Sequence, residues 1–189
     1  MSNREQRVYA NTLHLYLAFK RPKFNEKADC IRSVIKGHPK ELEVFEAKLK
    51  VLGGNWRIHQ TVNARDIEKA RIWLIKHLLD EPKNACFIDS AWRTALLQSE
   101  CRAENKFMLD VDTEDEEKLK ALEKLIPVST DKEWAKNYIL TYDTLIDKIK
   151  SPHGWHYIVQ PFDTREVCKL DYVTLLRDGY YFVKQIKEF

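Results

Sequence analysis

The chain has 189 residues, is 44% hydrophobic and 32% charged, and carries a formal net charge of +3. That balance is ordinary for a globular chain with one sizeable core, and it excludes collagen-like, low-complexity and strongly polybasic classes. No apolar run reaches the roughly 18 residues of a membrane span, the N-terminal MSNREQRVYANT has no apolar leader core, and the four scattered cysteines form no Cys-x-x-Cys pair. The expectation is a cytoplasmic protein with reduced thiols, no zinc knuckle and no membrane partner.

In chain order, HLYLAFK (14–20) alternates weakly and predicts a short strand. KELEVFEAKLKVLGG (40–54) sets Leu42, Phe45, Leu49 and Leu52 at helical spacing, and Gly53-Gly54 stops it. NWRIHQTV (55–62) alternates Trp56, Ile58 and Gln60 against Arg57, His59 and Thr61, the period of a strand. Asn63 is placed to cap a helix over ARDIEKARIWLIKHLLD (64–80), with Ile67, Ala70, Ile72, Leu74, Ile75 and Leu78 as a broad apolar stripe. CFIDSAWRTALLQSECR (86–102) predicts a further helix.

KFMLDV (106–111) predicts a buried strand, and Thr113 with Glu116 forms a capping box for a helix to about Leu125. Residues 131–150 mix helical and strand signals. GWHYIV (154–159) predicts a strand after a tight Pro-His-Gly turn. VTLLRDGYYFVKQI (173–186) predicts two strands around Asp178-Gly179, a hairpin signal. The predicted class is α+β, one domain over 1–189, with a helix-rich part at 1–105 and a sheet part at 106–189.

Two carboxylates at alternate strand positions, Asp110 and Asp112, share a face and repel unless a cation lies between them. Mg²⁺ and Mn²⁺ suit that arrangement, because they take one or two carboxylates together with substrate phosphates. At a strand end, Asp112 also simply favours the N-terminus of a following helix. Further on, SPHGWH (151–156) feeds a strand from a turn. Gly154 allows a tight turn and close backbone approach to a phosphate, His156 is placed to reach a phosphate oxygen, and His153 is a turn residue.

Together these segments resemble the archaeo-eukaryotic primase superfamily, the primase–polymerase fold, in the manner of a small phage-type or mobile-element member. Phe107-Met108-Leu109-Asp110-Val111-Asp112 matches its first motif, Ser151-Pro152-His153-Gly154-Trp155-His156 resembles its second, and Leu170-Asp171 with Val173-Thr174 resembles its third. Asp178 competes with Asp171 as the third acid, and it also fits the start of an Asp-Gly turn. The resemblance covers residues 106 to 180; the basic residue usual in the second motif is absent, with Pro152 and His153 in that segment.

The resemblance implies an RRM-like sheet with flanking helices and a metal-dependent nucleotidyltransferase. Asp110, Asp112 and Asp171 would hold Mg²⁺ or Mn²⁺, and Ser151, Gly154 and His156 would bind the nucleotide. The implied partners are nucleoside triphosphates, single-stranded or primed nucleic acid, and other replication proteins.

Two other readings compete. Trp155, Tyr157, Tyr180, Tyr181 and Phe182 would let an RRM-like sheet bind single strands by stacking without catalysis, with the basic face Lys69, Arg71 and Lys76 serving phosphates. His59-Gln60-Thr61 matches half the signature of two-histidine phosphoesterases, and His156-Tyr157-Ile158 lacks the hydroxyl the second half needs.

Overall fold

The computed structural model describes residues 11–20, 29–35, 39–127 and 144–187. The first ten residues of the supposed leader-free N-terminus, and residues 131–143 of the ambiguous stretch, lie outside them. The chain divides into two compact units: one runs to Glu104 and resumes at Val183, and the other is Asn105–Phe182. This boundary lies beside the division at 105/106 read from the element pattern and the motifs.

In the first unit, β1 (Thr12–Lys20) pairs antiparallel with β2 (Asp29–Ile35) and β3 (Trp56–Thr61), and its start pairs with the short β4 (Arg65–Asp66). β9 (Tyr180–Ile186) flanks β3, giving the order β2-β1-β3-β9. Both faces of β1 are covered. Tyr16 and Ala18 join Trp56, Ile58 and Ile186 in a core with Phe45 and Leu49 of helix α1 (Pro39–Leu52). Leu13 and Leu15 pack instead with Ile67 and Ala70 of α2 (Ile67–Asp80) and with Ala95 and Leu96 of α3 (Ile88–Leu97). Alternation therefore looks weak in the sequence of β1 because each parity has its own helix layer to face.

The second unit is an antiparallel sheet in the order β6-β7-β5-β8: β6 (Leu145–Ser151), β7 (Gly154–Val159), β5 (Phe107–Val111) and β8 (Val173–Leu176). Helix α4 (Glu116–Leu125) lies on one face, where Leu119 and Leu122 meet Leu109, Val111, Tyr157 and Val159. The α+β class with antiparallel sheets is as predicted.

Several local expectations are corrected. Asp66, not Asn63, caps α2, with its carboxylate accepting from the Lys69 N–H at 3.0 Å. The chain stays extended through Arg65–Asp66 because those residues pair with Thr12 and Leu13, which delays the helix. Asp115, not Thr113, caps α4, accepting from Glu117 and Lys118 N–H groups, while the Thr113 hydroxyl accepts from the Asp115 N–H. Here the Asp112 N–H bonds the Tyr172 carbonyl at 2.9 Å, so the extended path outlasts β5 itself.

The predicted helix over 86–102 is α3 between two 3-10 turns, Pro82–Phe87 and Ser99–Cys101. The apolar stripe of α2 splits: Ile67 and Ala70 are buried, whereas Ile72 and Ile75 are exposed. The Asp178-Gly179 turn joins β8 to β9, but the two strands do not pair as a hairpin. β8 pairs with β5, and β9 flanks β3, taking Ile186 into the core around Trp56. The helix-rich N-terminal part is equally a sheet, with β1 to β4 among α1 to α3.

Candidate functional site

β5 lies between β7 and β8, so Met108 to Val111 each have a neighbour on both sides. The register sets Asp110 opposite His156 on β7 and opposite Thr174 on β8. Leu109 and Val111 are in the α4-side core, so the strand period puts Asp110 on the other face. His156 Nε2 stands 3.3 Å from Asp110 Oδ1, with the histidine side chain 9% exposed and the aspartate 34%. The Phe182 N–H donates to His156 Nδ1 at 3.1 Å. Nδ1 is therefore an acceptor, and the neutral ring carries its proton on Nε2, the nitrogen turned toward Asp110.

The two second-motif residues that would cradle a phosphate have structural employment. Ser151 is buried and pairs with Gly154 across a two-residue turn of Pro152 and His153. A Cβ on Gly154 would stand 1.9 Å from the Val111 carbonyl oxygen and 3.0 Å from the Thr113 nitrogen. The close backbone approach that this glycine permits is to the end of β5. It thereby fixes the β6–β7 hairpin against the strand that carries Asp110.

Asp112 lies just beyond β5 and is exposed. Asp171 is exposed in the turn before β8, and Asp178 lies in the turn after it. Neither stands opposite Asp110, whose partner on β8 is Thr174. Asp171 instead acts on Tyr172: burial, then the charges of Asp171 and Asp115, raise that phenol above its ordinary value. Among the described residues, no three His, Cys, Asp or Glu side chains converge as a metal-ligand set. Beside the Asp110 carboxylate the strand register places the His156 imidazole and Thr174; the Asp110 oxygens are the hard donors there, a chemistry that suits a cation sharing substrate oxygens.

Thr174, the end of the third-motif match, is brought beside Asp110 by strand register, and the Phe182 amide, which carries no motif, reaches His156 by a hydrogen bond from β9. The α4 side has its own polar cluster. A groove of about 380 Å³ is lined by Trp155, Lys148, Lys150, Glu114 and Glu123, among others. The Lys148 and Lys150 ammonium groups each sit 4.8 Å from the Trp155 ring centre. Lys148 bonds Glu123 at 2.9 Å, Lys150 bonds Glu114, and the Tyr157 hydroxyl donates to Glu123 at 2.9 Å. These bonds, Lys148 foremost, hold the Glu123 carboxyl below its usual value, and the Lys150 bond does the same for Glu114. The Tyr157 ring is buried in the core, so it is closed to base stacking.

In the first unit, Thr61 is fully buried. Its hydroxyl accepts from the Leu15 N–H at 3.3 Å, and His14 Nδ1 contacts its carbonyl at 3.0 Å. This hydroxyl is spent inside the fold, which removes it from the phosphate-holding role of a two-histidine phosphoesterase.

No family model, curated protein or solved structure matches the chain. No helix among the described residues is long and apolar enough to cross a membrane.

Proposed function

We propose that the second unit is an RRM-like nucleotide-handling module of primase–polymerase type, acting on a nucleoside triphosphate and a primed or single-stranded nucleic acid. The observation that carries this reading is the cross-strand pair Asp110–His156 on one sheet face, in the register that joins the first and second sequence motifs. Asp110 and Asp112 are the candidate holders of Mg²⁺ or Mn²⁺, and Asp171 or Asp178 is the candidate third acid. A bound divalent cation lowers the pKa of an attacking hydroxyl and offsets charge on the phosphates.

The chain's own residues orient the reactants. Asp110 is fixed by two strand neighbours, and His156 is fixed by the Phe182 amide with a single N–H directed outward. Thr174, exposed on β8, offers a hydroxyl beside Asp110. An exposed strand end and a buried histidine also occur in purely structural sheets, so cation binding is the deciding property.

The test is calorimetric titration of Mn²⁺ into wild type and the Asp110→Asn/Asp112→Asn double variant, followed by incorporation on a primed template. The expected outcome is saturable binding and incorporation in the wild type, with both lost in a folded double variant. Incorporation at the wild-type rate by that variant would discard the assignment. The alternative, a non-catalytic single-strand binder, draws on half-buried Trp155 between two lysines. It predicts single-strand affinity that is equal with and without metal and falls on Trp155→Ala.

A further inference from the structure

His156 has one hydrogen to offer an anion, and its position decides when that hydrogen is available. Nδ1 is occupied by the Phe182 N–H, so the neutral ring donates only from Nε2. Nε2 faces Asp110 Oδ1 at 3.3 Å, and the imidazole is almost wholly buried while the aspartate in front of it is one-third exposed. A phosphate approaching Nε2 therefore meets a carboxylate first. Two anions compete for one donor, and the resident one is tethered on the adjacent strand.

We infer that Asp110 screens His156 from anionic ligands until Asp110 itself turns to a cation, so that cation binding and phosphate binding at this site are coupled. The inference rests on the functional reading above for the cation, and on the geometry of the pair alone for the screening. When the Asp110 oxygen takes a different partner, the Nε2–H is released toward the site while the Phe182 amide keeps the ring in place. The coupling is reciprocal by thermodynamic necessity: whatever factor the cation adds to phosphate affinity, phosphate adds to cation affinity.

The probe is inorganic tripolyphosphate, titrated calorimetrically in the presence of chelator so that no divalent cation contributes. Four proteins are compared: wild type, Asp110→Ala, Asp112→Ala, and Asp110→Ala combined with His156→Asn. The asparagine retains an acceptor for the Phe182 N–H but has nothing at the Nε2 position. Removing either exposed carboxylate lowers local repulsion, so Asp112→Ala is the control for charge alone.

The expected result is a gain of about tenfold in affinity for Asp110→Ala, within the usual range of such couplings. Asp112→Ala gains about threefold or less, as screened surface charge allows. The double variant falls back to the Asp112→Ala level. Equal gains in the two single variants, or a double variant that keeps the full gain, would overturn the screening. Mn²⁺ binding to the wild type is read separately. If it is absent while the affinity order holds, the screening stands and the cation assignment falls. If Mn²⁺ binds and the affinity order fails, the screening falls alone.

Discussion

Each unit sets a histidine against a polar partner on antiparallel strands, and the two pairs differ in where their polar atoms end up. In the first unit, Thr61 is fully buried, and its hydroxyl and carbonyl are both engaged by β1 through the Leu15 N–H and His14. In the second unit, His156 is nearly as enclosed, but the Asp110 it faces remains one-third exposed. A buried hydroxyl bonded within the fold, as at Thr61, satisfies buried groups and specifies register. The Asp110 carboxylate, an acceptor left one-third exposed, still has capacity for a ligand. The difference arises from position in the sheet: Thr61 ends β3 with its hydroxyl bonded to β1, whereas Asp110 lies on the face opposite α4.

The largest expected effect is at the hinge of the second unit's geometry. Gly154→Ala drives a Cβ into the Val111 carbonyl, a backbone atom that cannot swing aside. Urea unfolding should record a loss of about 3 kcal/mol or more, or no folded protein. Gly179→Ala meets only the Met108 terminal methyl and the Leu176 side chain, at 3.0 to 3.3 Å. It should lose about 1 kcal/mol, because the nearest atom is the flexible end of Met108 and no backbone atom stands in the way. Equal losses in the two variants would break the argument that Gly154 holds the hairpin against β5.

A smaller loss sharpens the comparison between the pairs. Thr61→Val keeps the shape but leaves the Leu15 N–H without its hydroxyl acceptor, at an expected cost of about 1–2 kcal/mol. Tripolyphosphate and Mn²⁺ titrations of this variant should match the wild type. A change in either would mean that the first unit's pair is more than structural.

The smallest effect concerns the α4 groove and is a matter of pH. The Glu123 carboxyl is held below its ordinary value of 4.5, first by its bond from Lys148 and also by Tyr157. A depressed folded value means that its stabilisation is complete above the unfolded value and is lost as pH falls through the folded one. The urea midpoint should therefore decline on acidification below about pH 4.5, where Glu123 begins to protonate in the unfolded chain. Lys148→Met should flatten that decline. The change should be under about 1 kcal/mol, because both side chains are partly in water and screened. An unchanged acid limb in the variant would show that the ion pair contributes nothing measurable.

The chain's local elements were largely legible before any coordinates, because they rest on local periodicity. FMLDV alternates for one buried face, KELEVFEAKLKVL repeats at helical spacing and ends at two positive-φ glycines, and GWHYIV follows a turn. The motifs also named Asp110 and His156 as residues of interest from order along the chain alone. Caps were misplaced at Asn63 and Thr113 because strand pairing from remote segments, Thr12–Leu13 and Tyr172, kept the chain extended past the local signal.

Which residues meet was decided only by tertiary structure. Nothing local says that Thr174 rather than Asp171 stands across from Asp110, that β9 leaves β8 to flank β3, or that the Phe182 amide fixes the tautomer of His156. Those facts are matters of register between segments dozens of residues apart, and a shift of one residue would turn every side chain of a strand to the other face. The sequence by itself determined the strand that carries Asp110 and the glycine-led strand that carries His156, because both rest on local periodicity and turn chemistry. The fold decided that the carboxylate remains open while the imidazole on the same face is enclosed, because exposure depends on which remote segments, such as the one carrying the Phe182 amide, come against each side chain.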